Sequence, residues 1–239
     1  MSEERRGLAG SAAVMFTGTL VSRVLGLLRN IALIGAIGLT GAANSFSVAN
    51  KLPNVVYMLV AGGVLNAILV PQIVRAMKER DGGDEYVNRL LTLAGVALLG
   101  LTVLLTAGAS VLVTIYASEL DPAWFDIAVA FALWCVPQLF FYGMYTLLGQ
   151  VLNARGNFGP YMWAPALNNV IALVGLIAYI VVFGGRATGA HEDPTAWSGL
   201  RIGVIGGTAT LGVALQALIL VVPLYRSGFR YRPRWGLRG

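Results

Sequence analysis

Residues 90–116 read LLTLAGVALLGLTVLLTAGASVLVTIY and hold no charged side chain. A helix needs about 20 apolar residues to cross the hydrocarbon core of a bilayer, and this run exceeds that. Membrane β-strands are shorter and alternate between apolar and polar residues. An uninterrupted run must satisfy its backbone polar groups internally, so it reads as a helix.

The rest of the chain repeats the pattern. Helices are predicted at 8–39, 42–75, 87–116, 122–152, 161–183 and 200–225. They are separated by Thr40-Gly41, Asp81-Gly82-Gly83-Asp84 and the segments 118–122, 155–160 and 184–198. Several exceed the minimum span, so tilt or kinks are expected. Of 239 residues, 57% are hydrophobic and 12% charged. Mean hydropathy is +0.73. A soluble domain carries about 25% charged residues. The fold class is therefore an all-α integral membrane protein, a bundle of six transmembrane helices. Residues 1–8 read as a cytoplasmic tail, 9–225 as the membrane domain and 226–239 as a basic cytoplasmic segment. The start mixes Glu3, Glu4, Arg5 and Arg6 and lacks the basic start of a signal peptide.

Basic residues set the orientation. With the N-terminus inside, twelve fall on inner segments: Arg5, Arg6, Arg75, Lys78, Arg80, Arg89, Arg155, Arg226, Arg230, Arg232, Arg234 and Arg238. Only two, Arg186 and Arg201, fall on outer ones. Both termini are then cytoplasmic. Trp124 and Trp197 are expected at the outer interface, Trp163 and Trp235 at the inner one. The net charge of +6 fits loops facing anionic lipid rather than a nucleic-acid partner.

Three of the seventeen basic residues remain inside the predicted spans: Arg23, Arg29 and Lys51. All eleven acidic residues fall in tails, loops or helix ends. A cation at a helix centre costs at least about 2.5–3.5 kcal/mol, so an anion from elsewhere is the simplest compensation. Arg29 and Lys51 lie at matched depth on consecutive antiparallel helices. Both also have stems long enough to snorkel to headgroups; Arg23 is too central for that. Arg23 and Arg29 are six residues apart, about 120° around an ideal helix, so a bend at Gly26 is needed to bring them together. Ser22, Asn30, Asn44, Ser45, Ser47, Asn50, Asn54 and Asn66 follow the same two helices and suggest a wet cavity wall. Pro53 and Pro71 are expected to kink the second span. Gly203 and Gly207 read as close packing, Cys135 as structural and His191 as solvated. No nucleophile–base pair or metal constellation presents itself, so no catalytic residue, cofactor or metal is expected.

Two stretches resemble a known family. One is Ser22-Arg23-Val24-Leu25-Gly26-Leu27-Leu28-Arg29, followed by Ala43-Asn44-Ser45-Phe46-Ser47-Val48-Ala49-Asn50-Lys51-Leu52-Pro53-Asn54 and Ile68-Leu69-Val70-Pro71. The other is Leu152-Asn153-Ala154-Arg155-Gly156-Asn157-Phe158, with Ala164-Pro165 and Leu167-Asn168-Asn169 behind it. Together they are similar to the MviN/MurJ-type lipid II flippases of the multidrug/oligosaccharidyl-lipid/polysaccharide exporter superfamily, over nearly the whole chain. The resemblance implies one lobe of a two-lobed exporter fold in a bacterial inner membrane. Its substrate would be an undecaprenyl-pyrophosphate-linked peptidoglycan precursor, moved from the inner to the outer leaflet by alternating access. It carries pyrophosphate recognition onto Arg23, Arg29 and Lys51. Ser22, Asn44 and Asn54 are further candidate substrate contacts, with Gly26 and Pro53 as hinges.

The chain departs from the family pattern in places. Asn30 stands where many relatives have an acidic residue and Asn44 where they have Asp. Tyr57 and Met58 replace an Arg pair, and Gly62-Gly63-Val64 replaces Glu-Gly-Ala. This variant looks like the actinobacterial branch. Family members carry about twice as many spans, so the chain is expected to be a truncation or to pair with another chain, membrane lipid surrounding both. An exporter of another lipid-linked polysaccharide precursor, or a non-transporting membrane scaffold, would share many of these features. The absence of buried carboxylates argues against an exporter of cationic drugs.

Overall fold

The computed structural model describes residues 2–60, 72 and 83–236, with side chains from Val14 onward. Among the described residues the regular elements are helical. Helix α1 spans Ser2–Ile37 and α2 spans Ala42–Val60. The third expected span is divided into α3 (Asp84–Ala107) and α4 (Ala109–Tyr116), and the fourth into α5 (Pro122–Cys135) and α6 (Gln138–Ala154). Then follow α7 (Gly159–Phe183), α8 (Gly199–Leu218) and α9 (Val221–Arg226), with 3-10 turns at Gly185–Thr188 and Pro194–Ala196.

Among the described residues five stretches are long and apolar enough to cross a membrane: Val14–Ile37, Asp84–Ala107, Pro122–Ala154, Gly159–Thr188 and Gly199–Arg226. The expected span 42–75 is represented by α2, whose Asn, Ser and Lys residues lower its hydropathy. Its later part, with Gly62, Gly63, Val64, Asn66, Pro71 and Arg75, lies outside the described residues, as do Lys78, Glu79, Arg80, Asp81, Gly82 and Arg238.

The breaks have local causes. Gly108 interrupts α3 and α4, as a residue without a side chain readily does. Pro137 ends α5, since proline has no N–H to give to the preceding turn. At that break the Thr210 hydroxyl donates to the Trp134 carbonyl at 2.6 Å, so a neighbouring helix satisfies an acceptor inside the membrane domain. α1 starts at Ser2 rather than at residue 8, so the first residues continue the helix. It ends at Ile37, where Gly38 takes a left-handed φ of 73°.

α1 lies along α7 and α7 along α8. α2 packs on α5, α6 on α8 and α3 on α6, while α1 and α2 share little contact. The predicted α1–α2 hairpin is thus splayed, each helix leaning on a different neighbour. One apolar cluster surrounds the α1–α2 turn, with Ile37, Phe46, Val113, Phe131 and Ile205. A second joins Val87, Leu91, Leu147, Leu152, Leu220 and Phe229. Gly206 accepts the Trp134 side chain so closely that a Cβ would lie 2.8 Å from it, and Gly203 and Gly207 flank the same indole.

One expectation at the α1–α2 turn fails. His191 is buried, not solvated: its ring lies against Gly38, and its carbonyl accepts from Ala42 N at 3.3 Å. Trp124 and Trp197, expected at the outer interface, are buried among side chains at this end of the helices. Trp197 packs edge-on against Phe131, ring centroids 5.5 Å apart. The 184–198 loop folds back over the helix ends and takes these side chains into the core.

Candidate functional site

α1 meets α7 along one stripe. A Cβ at Gly18 would sit 3.0 Å from the Trp163 ring, and one at Gly26 3.6 Å from Asn169 Nδ2. Asn169 Nδ2 donates to the Ser22 carbonyl at 2.8 Å and approaches Ser22 Oγ at 3.3 Å. Gly18, Ser22, Gly26, Arg29 and Leu33 follow the three- and four-residue spacing of a single helix face. Arg29 is the charged member of that stripe. Arg23, one residue past Ser22, turns about 100° away and is exposed. α1 continues through Gly26 as an unbroken helix. Gly26 lies at the Asn169 contact, and Arg23 and Arg29 remain on different faces.

On α2, Ala42, Ser45, Phe46, Ala49, Leu52 and Pro53 are buried. Asn44, Lys51 and Asn54 are exposed, with Ser47 half-buried between them. Their 3–4–3 spacing makes one polar stripe on the open side of the helix. Pro53 lies inside α2 on the buried side.

Arg29 faces inward. With Asn50, Gln138, Tyr142, Asn168 and Thr208 it lines a cavity of ≈ 60 Å³ between α1, α2, α6, α7 and α8. Its guanidinium also approaches Asn30 Oδ1 at 3.4 Å. One part of the cavity wall belongs to a polar network that the sequence reading did not assemble, and apolar residues such as Leu33, Phe46 and Ile205 make the rest. Gln138, fully buried, donates through Nε2 to Asn50 Oδ1 at 3.2 Å and to Thr210 Oγ1 at 3.1 Å. Its Oε1 accepts from Tyr142 OH at 3.2 Å. Asn168 Nδ2 donates to Gln216 Oε1 at 3.0 Å. The signal was present in the sequence: Gln138, Asn168, Asn169 and Gln216 interrupt otherwise apolar spans, as residues that bond across membrane helices do.

Charge sets the character of the site. Neither Val14–Ile37 nor α2 contains an acidic residue. Among the described residues the ion pairs are Arg89–Glu85, Arg155–Asp84 and His191–Glu192, and none involves Arg23, Arg29 or Lys51. The arrangement presents an exposed arginine, an exposed lysine within a stripe of amides, and a half-buried arginine above a polar cavity. It suits a strongly anionic ligand with several acceptor oxygens.

The chain spans less than half the length of the curated relatives it matches. It is 32% identical over 242 residues to the probable lipid II flippase MurJ of Bdellovibrio bacteriovorus, covering 98% of this chain and 42% of that protein. The probable lipid II flippases MurJ of Synechocystis and Vibrio cholerae are 27% and 26% identical over 93% and 96% of this chain, and 41% and 43% of their own lengths. A solved structure of lipid II flippase MurJ in an inward closed conformation superposes with a TM-score of 0.67 at 15% identity, over 95% of this chain and 43% of that one. That likeness fixes the fold: an all-helical membrane lobe. The family model described as lipid II flippase MurJ matches residues 33–239, and the chain therefore belongs to the MurJ family of lipid II flippases.

Proposed function

We propose that this chain is the first lobe of a flippase that carries a lipid-linked pyrophosphate glycan, lipid II, from the inner to the outer leaflet by alternating access. The observation that carries the reading is the set of three membrane-domain cations without a carboxylate partner among the described residues: Arg23, Arg29 and Lys51. Cations within membrane-spanning segments are costly unless an anion or water compensates them. A diphosphate supplies the charge and the oxygens, and the amide stripe of α2 supplies donors for the glycan side. The partner wall of the path is a second lobe, from further chain or another polypeptide. The protein does no covalent chemistry on its cargo.

The test uses the complete protein in a strain that depends on it. Arg23→Ala is expected to express normally and to leave lipid II trapped in the inner leaflet. Normal flipping with Arg23→Ala would make Arg23 structural and remove the anionic-substrate reading. Accumulation of a different lipid-linked glycan would redirect it to another exporter of the same fold.

The reading places both termini in the cytoplasm, on the bias of basic residues. Thr195 is exposed in the loop between α7 and α8, and Arg232 is exposed beyond α9. In intact cells an impermeant thiol reagent is expected to label Thr195→Cys and not Arg232→Cys. The opposite pattern reverses the orientation.

A further inference from the structure

Beyond α9 the chain reads Phe229-Arg230-Tyr231-Arg232-Pro233-Arg234-Trp235, arginines alternating with apolar or aromatic residues. It runs as a strap along the start of α3. Asn88 holds it at both polar ends of its amide: Nδ2 donates to the Arg230 carbonyl at 3.4 Å, and Oδ1 accepts from Arg232 N at 2.9 Å. Arg234 N donates to Thr92 Oγ1 at 3.3 Å. N–H groups two residues apart face the same way, as in an extended chain, so alternate side chains fall on opposite sides. Phe229, Tyr231, Pro233 and Trp235 accordingly line one groove, and the arginines between them are exposed.

That groove has a volume of ≈ 530 Å³, and its other walls are apolar residues of α3, α6, α8 and α9, among them Leu91, Leu99, Phe141 and Leu218. Pockets that hold small ligands run to roughly 300–1,000 Å³. The groove opens on the side of helices that cross the membrane, where a water-soluble ligand of such apolar shape is scarce and acyl chains are abundant. Among the described residues the unpaired charge at its rim is basic. Arg230 lies over the Tyr225 ring, 5.2 Å from its centroid, and Tyr225 lines the groove. The neighbouring acids are engaged: Asp84 with Arg155 and Glu85 with Arg89. Arg226, Arg230, Arg232 and Arg234 are in no ion pair among the described residues. Trp235, 69% exposed at the end of the strap, is the residue type that settles at headgroup level.

We infer that the strap and groove form a binding site for an anionic phospholipid, one acyl chain lying in the groove and the headgroup phosphate held by the strap arginines. Basic segments beside membrane helices attract anionic headgroups, and an apolar groove beneath them turns a diffuse attraction into a site. The proposed substrate residues Arg23, Arg29 and Lys51 lie on α1 and α2. This site lies on α3, α6, α8, α9 and the strap, and it depends on neither the flipping reaction nor the sidedness of the protein.

The experiment reconstitutes the protein into nanodiscs and reads quenching of Trp235 fluorescence by lipids brominated on the acyl chain, with Trp235→Phe giving the background. Brominated phosphatidylglycerol is expected to quench at a mole fraction about fivefold or more below that of brominated phosphatidylcholine. That is the factor supplied by one arginine's attraction to an anionic surface. Arg230→Gln/Arg232→Gln/Arg234→Gln should bring the two lipids together. Gly95 lines the groove, and a Cβ there would meet Met144 Sδ at 3.7 Å, an ordinary contact. Gly95→Phe therefore places a ring in the groove and should abolish selective quenching with the arginines intact. Equal quenching by the two lipids in the unmodified protein overturns the proposal without any variant. So does selectivity that survives either substitution, or relief of quenching by inorganic phosphate alone, which would mark a bare phosphate site.

Discussion

Asn169 of α7 holds Ser22 of α1 through two atoms, its Nδ2 lying 2.8 Å from the Ser22 carbonyl and 3.3 Å from Ser22 Oγ. The pairing commits Ser22 to the helix seam and turns the next residue, Arg23, toward the open side. Ser22→Ala keeps the shorter bond, because the carbonyl remains. Its cost should not exceed the average interhelical bond in a membrane, about 0.6 kcal/mol, and flipping should stay near normal. Asn169→Leu loses both bonds and brings a branched side chain against Gly26, so it should lower the thermal midpoint in detergent clearly. A Ser22→Ala protein that is stable but inactive would return Ser22 to the substrate path.

Arg23 and Lys51 are both exposed, yet they should respond differently to exchange of one cation for another. If Arg23 binds phosphate as proposed, Arg23→Lys keeps the charge but loses the planar fork suited to two phosphate oxygens at once, so only partial complementation is expected. Lys51→Arg keeps a cation of similar reach within the stripe Asn44–Ser47–Asn54 and should be tolerated better. Growth of a depletion strain at graded expression reads both. Equal tolerance would show that charge alone matters at the two positions.

At the turn between α1 and α2 the limiting contact is steric. Gly38 has φ 73°, and a Cβ on it would overlap His191 Cδ2. Gly38→Ala therefore combines a left-handed backbone, about 1–2 kcal/mol, with a clash against a buried ring. His191→Ala added to Gly38→Ala removes the clash and leaves the backbone cost, so the double variant should be more stable than Gly38→Ala alone. Thermal unfolding of the three proteins checks the order. The same loop carries a small acid dependence. Asp193 accepts from Thr195 N at 2.9 Å and Thr195 Oγ1 at 2.7 Å, and these bonds hold its carboxyl below the usual carboxylate range. Its contribution is present above that ordinary range and is lost as pH falls through the lowered value.

The spans were legible because a bilayer asks one simple thing of a sequence, a long apolar run, and residues 90–116 answer it unaided. The three cations were legible for the same reason: charge is rare in such runs. The direction each one faces was not. α1 is apolar around most of its circumference, so its periodicity does not distinguish the side that meets α7 from the side left open. The fact that α1 leans on α7 rather than on α2 comes from Gly18, Gly26 and Asn169, and short distance along the chain misled on this point. His191 misled in the opposite way. It sits in a polar loop, but that loop packs back onto Gly38 and Gly41, whose lack of side chains admits it. Gln138 was hidden because its partners, Asn50 and Thr210, come from helices far apart in sequence.

Gln138 decides whether the interior of the lobe is wet. It is fully buried and bonded to Asn50, Thr210 and Tyr142, so Gln138→Leu removes three hydrogen bonds and strands Asn50 Oδ1 and the Tyr142 hydroxyl, while Thr210 keeps its bond to Trp134. In a dry interior each stranded group would cost about 1–3 kcal/mol, and together they would unfold the lobe. The adjoining cavity of ≈ 60 Å³ exceeds the roughly 10–15 Å³ that one water requires, and amide, hydroxyl and guanidinium groups that can bind water make up about half of its lining. Water should then take over the lost bonds, leaving a net cost nearer the sum of three ordinary interhelical bonds, about 2 kcal/mol. Thr210→Val is a sharper probe. It removes a partner of Gln138 and also leaves the Trp134 carbonyl, bonded by Thr210 at 2.6 Å, without a donor at the Pro137 break. Thr210→Ser should behave as the unmodified protein. Unfolding in mixed micelles gives all three values. A Gln138→Leu protein that cannot be recovered folded, beside a normal Thr210→Ser protein, would show a dry cavity and a network that is structural throughout.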